Sequence, residues 1–169
     1  MITKDQLKDL LKKNESPVLE FKREWYWNDS TSPSEMSDKW GEFLKDIISL
    51  SNGYLGFVGV HRYLVIGFSE STQEIHDVGI KKIKSLNSIK AFRKTLIQKL
   101  EGYTQPAFIS IDIEFVKLDE KEVLIFEIPS PGHITELKKE LKTKTRVLDA
   151  GTVIIIAHAL LHSTTGLNE

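Results

Sequence analysis

Glu15, Glu20 and Lys22 surround one short segment, Pro17 to Arg23 (PVLEFKR), whose residues alternate in character. In an extended strand, successive side chains point to opposite faces. Leu19 and Phe21 then share one face, while Val18, Glu20 and Lys22 share the other. Glu15 stands at the turn entering the strand. Two carboxylates and an ammonium converging there would suit a divalent ion plus a phosphate. Mg²⁺ and Mn²⁺ take oxygen ligands, and water and phosphate complete the shell. The same spacing also suits a plain Glu20–Lys22 salt bridge on an exposed strand face. A third carboxylate, Glu70, is the first acid after a strand ending at Gly67 and joins the pair if the two strands are neighbours; Asp77 is next in line for that role.

Two basic runs offer a second kind of chemistry. Seven cations and no acid lie between Lys81 and Lys99, and five cations with one acid lie between Lys138 and Arg146. Lys82, Lys90, Arg93, Lys94, Lys142, Lys144 and Arg146, with Lys22, are the candidate phosphate contacts; the bland alternative is a pair of solvated faces. Trp25, Tyr26 and Trp27 follow the first strand, either as core cover or as a stacking platform for bases. His158 and His162 have the spacing of a zinc pair but lack a third ligand nearby. No G-x4-G-K-(S/T) loop is present to support P-loop nucleotide binding.

The elements that must position these groups are readable from periodicity. Thr3 to Asn14 reads as a helix with a Thr3–Gln6 capping box and an apolar stripe of Leu7, Leu10 and Leu11. Ser34 to Ser51 reads as a second helix stopped by Asn52-Gly53, and Tyr63 to Phe68 (YLVIGF) as a buried strand. Asn87 is placed as the cap of a third helix running to about Gly102. Phe108 to Leu118 and Glu122 to Ile128 read as a hairpin turning at Asp119-Glu120-Lys121. Ile134 to Arg146 reads equally as a helix or a strand pair, and Thr152 to Ala157 as a last strand. The order gives an α+β class, a mixed sheet with flanking helices, read as one domain over residues 1–169.

Bulk properties narrow the classes. Of 169 residues, 40% are hydrophobic and 28% charged, which is globular composition, and the net charge is −1. The absence of cysteine excludes disulfides, thiolate metal sites and cysteine nucleophiles. The N-terminal segment is charged from Lys4 onward, unlike a secretory signal, and no apolar run is long enough for a membrane helix. A cytoplasmic location with no membrane partner is expected.

Glu15…Leu19-Glu20-Phe21-Lys22, then Ser49-Leu50-Ser51-Asn52-Gly53, then Tyr63-Leu64-Val65-Ile66-Gly67-Phe68, then Ile128-Pro129, resemble the Schlafen-type Alba-like domain from Glu15 to about Thr152. That family has an E-x4-(L/V)-E-F-K start, an A-F-A-N-x-x-G-G helix end, a (L/V)-(I/L)-I-G-V strand followed by Asp, where this sequence has Glu70, and a late I-P before a basic stretch. Gly53 alone represents a glycine pair, an extra segment (Tyr54 to Arg62) precedes the YLVIG strand, and the family's late Arg and Gly are missing. The resemblance implies an Alba-like fold, nucleic-acid binding and, as in several animal members, metal-dependent RNA cleavage by three acids. Carried over, these are Glu15, Glu20 and Glu70 on Mg²⁺ or Mn²⁺, with Lys22 on the scissile phosphate and RNA, structured and tRNA-like, preferred to DNA. The alternatives are a DNA- or RNA-binding module that does not cut, and an interaction domain that forms a homodimer or sits in a longer protein.

Overall fold

A computed structural model describes residues 2–53, 59–107, 110–129 and 132–155. Sequence readings that fall on residues 54–58, 108–109 and 156–169, among them His158 and His162, lie outside them. Helix α1 (Lys4–Leu11) starts on Thr3, whose hydroxyl accepts from the Gln6 N–H while the Gln6 side chain accepts from the Thr3 N–H. Helix α2 (Pro33–Ser51) starts one residue earlier than Ser34. Ser32 is the cap, Glu35 completes the box, and Pro33 occupies the first turn, where its missing N–H has no intrahelical partner to lose. Helix α3 (Ile89–Tyr103) is capped by Ser88, not Asn87; the Ser88 hydroxyl accepts from the Ala91 N–H.

Strands β1 (Leu19–Lys22), β2 (Arg62–Ile66), β6 (Asp112–Leu118) and β7 (Lys121–Ile128) form the main sheet in the order β1-β2-β7-β6. β1 and β2 are parallel and are joined through α2, whereas the other pairs are antiparallel. The class is therefore α+β with a mixed sheet. The β6–β7 turn has two residues, Asp119 and Glu120, both at positive φ as a tight primed turn requires, and Lys121 already pairs with Leu118. The other strands are two-residue pieces: β3 (Phe68–Ser69), β4 (Glu74–Ile75), β5 (Thr104–Gln105), β8 (Glu136–Leu137), β9 (Leu141–Lys142) and β10 (Val147–Leu148).

Both faces of the sheet are covered. Leu7, Leu10 and Leu11 of α1 pack with Leu19, Phe21, Val65 and Ile125 on one face. On the other, Phe43, Ile47 and Ile48 of α2 and Phe92, Leu96 and Leu100 of α3 pack with Leu64, Ile66 and Phe126. Segment 134–146 resolves into strand pieces: β8 pairs with β5, and β9 pairs with β10. The expected strand at Thr152 is only a bridge between Val153 and Glu136 over its described part. The Ile154 carbonyl accepts from the Asn52 side-chain amide, so a side chain takes a bond that a ladder would otherwise use. Among the described residues no helix is long and apolar enough to cross a membrane.

Candidate functional site

Leu19 and Phe21 are buried, and Glu20 and Lys22 project from the opposite face of β1, as the alternation requires. That opposite face is not open to solvent, because α2 covers it. The Lys22 side chain is 33% exposed and the Glu20 side chain 15%. Lys22 Nζ lies 2.6 Å from Glu20 Oε1 and 3.4 Å from Asp46 Oδ2. Tyr26 donates its hydroxyl to the same Asp46 oxygen at 2.6 Å. Lys45 reaches Asp46 Oδ1 at 3.5 Å and also pairs with Glu42, whose other oxygen accepts from the Lys144 N–H. Burial alone would depress the Lys22 ammonium, but Asp46 and Glu20 outweigh it and hold its pKa above the ordinary lysine value. Burial and Asp46 push the Tyr26 hydroxyl well up.

Glu15 and Glu70 complete this acidic edge. The Glu15 carboxylate accepts from the Phe21 N–H at 3.0 Å, supplying an acceptor to the open side of edge strand β1. Glu70 accepts from the Glu15 N–H at 2.9 Å. The fold thus brings Glu15, Glu20, Glu70 and Lys22 together. Burial, then Glu20 and Glu70, raises the Glu15 pKa against the opposing pull of the Phe21 N–H and Lys22. Asp77 is elsewhere, accepting from the Glu122 N–H. Asp46 is the member that motif reading missed. Its signal is an acid inside the apolar run Phe43, Leu44, Ile47, Ile48, where a 9% exposed carboxylate demands partners.

As arranged, these acids do not fit a divalent ion. Glu15 and Glu70 each give an oxygen to a backbone N–H, and the Lys22 ammonium stands between Glu20 and Asp46 where the ion's charge would go. Among the described residues no three acidic or histidine side chains are set to hold a metal.

The basic runs are split by the fold. Lys82, Lys90 and Lys94 are exposed. Arg93 is tied to the Ile111 carbonyl and to Asp112 Oδ1 at 3.0 Å, so its guanidinium braces α3 against the start of β6. At 100° per residue, Lys90 and Lys94 fall on the flank of α3 opposite Lys99. Lys99 instead meets the second run. A cavity of about 460 Å³ between α2, the end of α3 and the β9–β10 hairpin is lined by Trp40, Lys99, Tyr103, Leu141, Lys142 and Val147, with Met36 and Glu140. The Lys99 ammonium lies 4.6 Å from the Trp40 ring centre, and Lys139 lies 4.1 Å from that of Tyr103. Lys142 pairs with Asp38 at 3.0 Å, while Lys144 and Arg146 are exposed in the hairpin turn. Gly41 forms the hairpin's seat: a Cβ there would fall 1.7 Å from the Lys142 carbonyl oxygen. Trp25, Tyr26 and Trp27 pack against the α2–α3 core and are no open stacking platform.

The family model described as Schlafen, AlbA_2 matches residues 15–153. The chain belongs to that family. No curated protein matches it. Among solved structures, this AlbA_2 domain is similar to the DIP2311 protein from Corynebacterium diphtheriae at 11% identity and a TM-score of 0.46, over 86% of this chain and 30% of that one. It is also similar to the N-terminal domain of a protein from Nitrosomonas europaea described as related to the ATP-dependent DNA helicase RecG, at 15% identity and a TM-score of 0.44, over 100% and 98% of the two chains. The chain thus spans about 30% of the length of the first of these.

The AlbA_2 motif residues after α2 do structural work. Asn52 donates to the carbonyls of Thr135 and Ile154 and accepts from the Thr135 N–H, all buried. A Cβ at Gly53 would meet the Pro17 carbonyl oxygen at 2.4 Å, so glycine lets the end of α2 lie against the turn before β1. Gly67, at φ +101°, turns the chain out of β2 toward Glu70.

Proposed function

We propose that this domain binds nucleic acid along the groove between α2, the end of α3 and the β9–β10 hairpin, and that the acidic edge braces the fold. The observation that carries this reading is the meeting of the two basic runs, through Lys99 and Lys142, in one cavity beside Trp40 and Tyr103. Ammonium groups resting on aromatic rings are held weakly, and a phosphate offers them a stronger, charge-assisted partner. Lys144 and Arg146 extend the cationic strip beyond the cavity. RNA is the substrate to try first, with DNA beside it.

The test is a fluorescence-anisotropy titration of labelled RNA and DNA strands across a series of salt concentrations. Each phosphate contact removed lowers the log–log salt slope by about one. Lys144→Glu with Arg146→Glu is expected to weaken binding and flatten that slope, whereas Lys90→Glu with Lys94→Glu, on the far flank of α3, leaves both nearly unchanged. The reverse pattern places the platform on the outer face of α3.

A second reading, metal-dependent RNA cleavage, draws on the convergence of Glu15, Glu20 and Glu70 beside Lys22. It requires those acids to leave their present partners, and it predicts cutting that EDTA stops.

A further inference from the structure

We infer that the groove takes an unpaired nucleobase into the cavity shared by Trp40 and Tyr103, which makes single-stranded nucleic acid the preferred ligand. This rests on the binding function proposed above and names its substrate class.

Trp40 is a partly buried ring of an aromatic cluster. It stacks on Phe92 with 22° between ring planes and 5.8 Å between centres, and it touches Trp27 and Phe43 at 4.7 and 5.9 Å. Core rings thus hold it in one orientation while it lines the cavity. Tyr103 is anchored as the last residue of α3, where the chain turns into the β5–β8 pair and its carbonyl accepts from the Lys138 N–H. Rigid aromatic surface of this kind stacks any base, because every base has a π face.

The two lysines explain how the rings stay covered without a ligand. Lys99 and Lys139 lie over Trp40 and Tyr103 and have flexible stems. A base entering the cavity replaces Lys99 on Trp40, and the displaced ammonium group, with Lys139 beside Tyr103, is then placed for the phosphates flanking that base. At about 460 Å³ the cavity is in the size range of small-ligand sites, roughly 300–1,000 Å³. A duplex keeps its bases stacked inside and offers only phosphates, so the cavity gives it nothing extra.

The test uses a short single strand in normal form and with one abasic position at each site in turn, against the whole chain. Stacking is expected to make the best-placed abasic substitution cost about ten-fold in Kd, with the salt slope unchanged because no phosphate is lost. Tyr103→Leu is expected to weaken the normal strand by a similar factor and to erase the abasic penalty. Trp40→Leu should do the same, and its melting temperature shows whether it remains folded; Tyr103, which lines the same cavity, keeps the test open if it does not. Abasic and normal strands binding alike overturns the base pocket while leaving phosphate binding intact. Equal affinity for duplex and single strand does the same. Displacement of the strand by equimolar AMP or UMP overturns the strand in favour of a free nucleotide. Failure to bind any strand removes the binding function itself.

Discussion

The acidic edge and the groove are built from the same groups, lysines and carboxylates beside aromatic side chains, and differ in where each charge finds its partner. At the edge, Lys22 lies between Glu20 and Asp46, Lys45 between Asp46 and Glu42, and Tyr26 closes on Asp46. These partners are mostly buried and come from β1, α2 and the loop between them, so the network ties the edge strand to the helix. At the groove, Lys99 in the cavity lining and Lys139 beside it have ring faces as partners, worth about 0.5–1 kcal/mol at an exposed site, and the carboxylate partner of Lys142, Asp38, meets it in a partly exposed pair. A region rich in charge is therefore not the same as a region ready for a ligand. What distinguishes them is how cheaply the internal partners can be given up.

The largest effect is expected at the edge. Asp46→Ala removes the acceptor of the Tyr26 hydroxyl and a partner of both Lys22 and Lys45, and it is expected to cost about 2–4 kcal/mol in urea unfolding. A loss below about 1 kcal/mol would show that the edge is not a brace. Asn52→Ala strips three buried hydrogen bonds outside the edge and is expected to cost a similar amount. It serves as the measure of an ordinary structural tie, and a much smaller loss would undo that comparison.

An intermediate effect is expected where the groove is seated. Gly41→Ala places a methyl against the Lys142 carbonyl, so the β9–β10 hairpin must lift from α2 at a cost of about 1–3 kcal/mol. Strand binding should fall with it. A variant that is destabilised yet binds normally would separate the hairpin from the ligand site.

The smallest effect is a pH dependence at Glu15. Its folded pKa lies above the ordinary 4.5, with burial as the first cause and Glu20 and Glu70 behind it. A raised carboxyl pKa means that its contribution to stability is present below about pH 4.5 and is lost as pH rises through the folded pKa. Glu15→Gln keeps an acceptor for the Phe21 N–H and discards the charge. At pH 7 the variant should equal the wild type or exceed it by no more than about 0.5 kcal/mol, a figure discounted for solvent screening. The difference should close as pH falls below about 4, in thermal melts across that range. A clear destabilisation at pH 7 would mean that the negative charge itself is needed.

Much of the frame is legible in the residues. The alternation Leu19, Glu20, Phe21, Lys22 and the stripe Leu7, Leu10, Leu11 assign faces correctly, because burial follows period directly. The motif order around Asn52-Gly53 and Gly67 points to the right family. What the period cannot carry is whether a polar face meets water or another helix. Glu20 and Lys22 read as a solvent face and lie beneath α2, because the sheet is covered on both sides. A run of like charge also says nothing of helix phase, so Lys90, Arg93, Lys94 and Lys99 read as one surface and divide between two flanks and a structural tie. The groove was illegible for a related reason: its parts come from α2, α3 and a hairpin whose two-residue strands leave little pattern to read.

The most direct test of the account sets Glu20→Gln beside the pair Lys144→Glu, Arg146→Glu on one labelled single-stranded RNA, with binding and cleavage followed in Mg²⁺, in Mn²⁺ and in EDTA. The acidic edge as a brace predicts that Glu20→Gln binds the strand within about two-fold of the wild type, while the cation reversals cost about ten-fold or more. It also predicts no EDTA-sensitive cutting by any of the three proteins. Cleavage by the wild type that EDTA stops and Glu20→Gln abolishes would contradict it, and would make the acidic edge the working site.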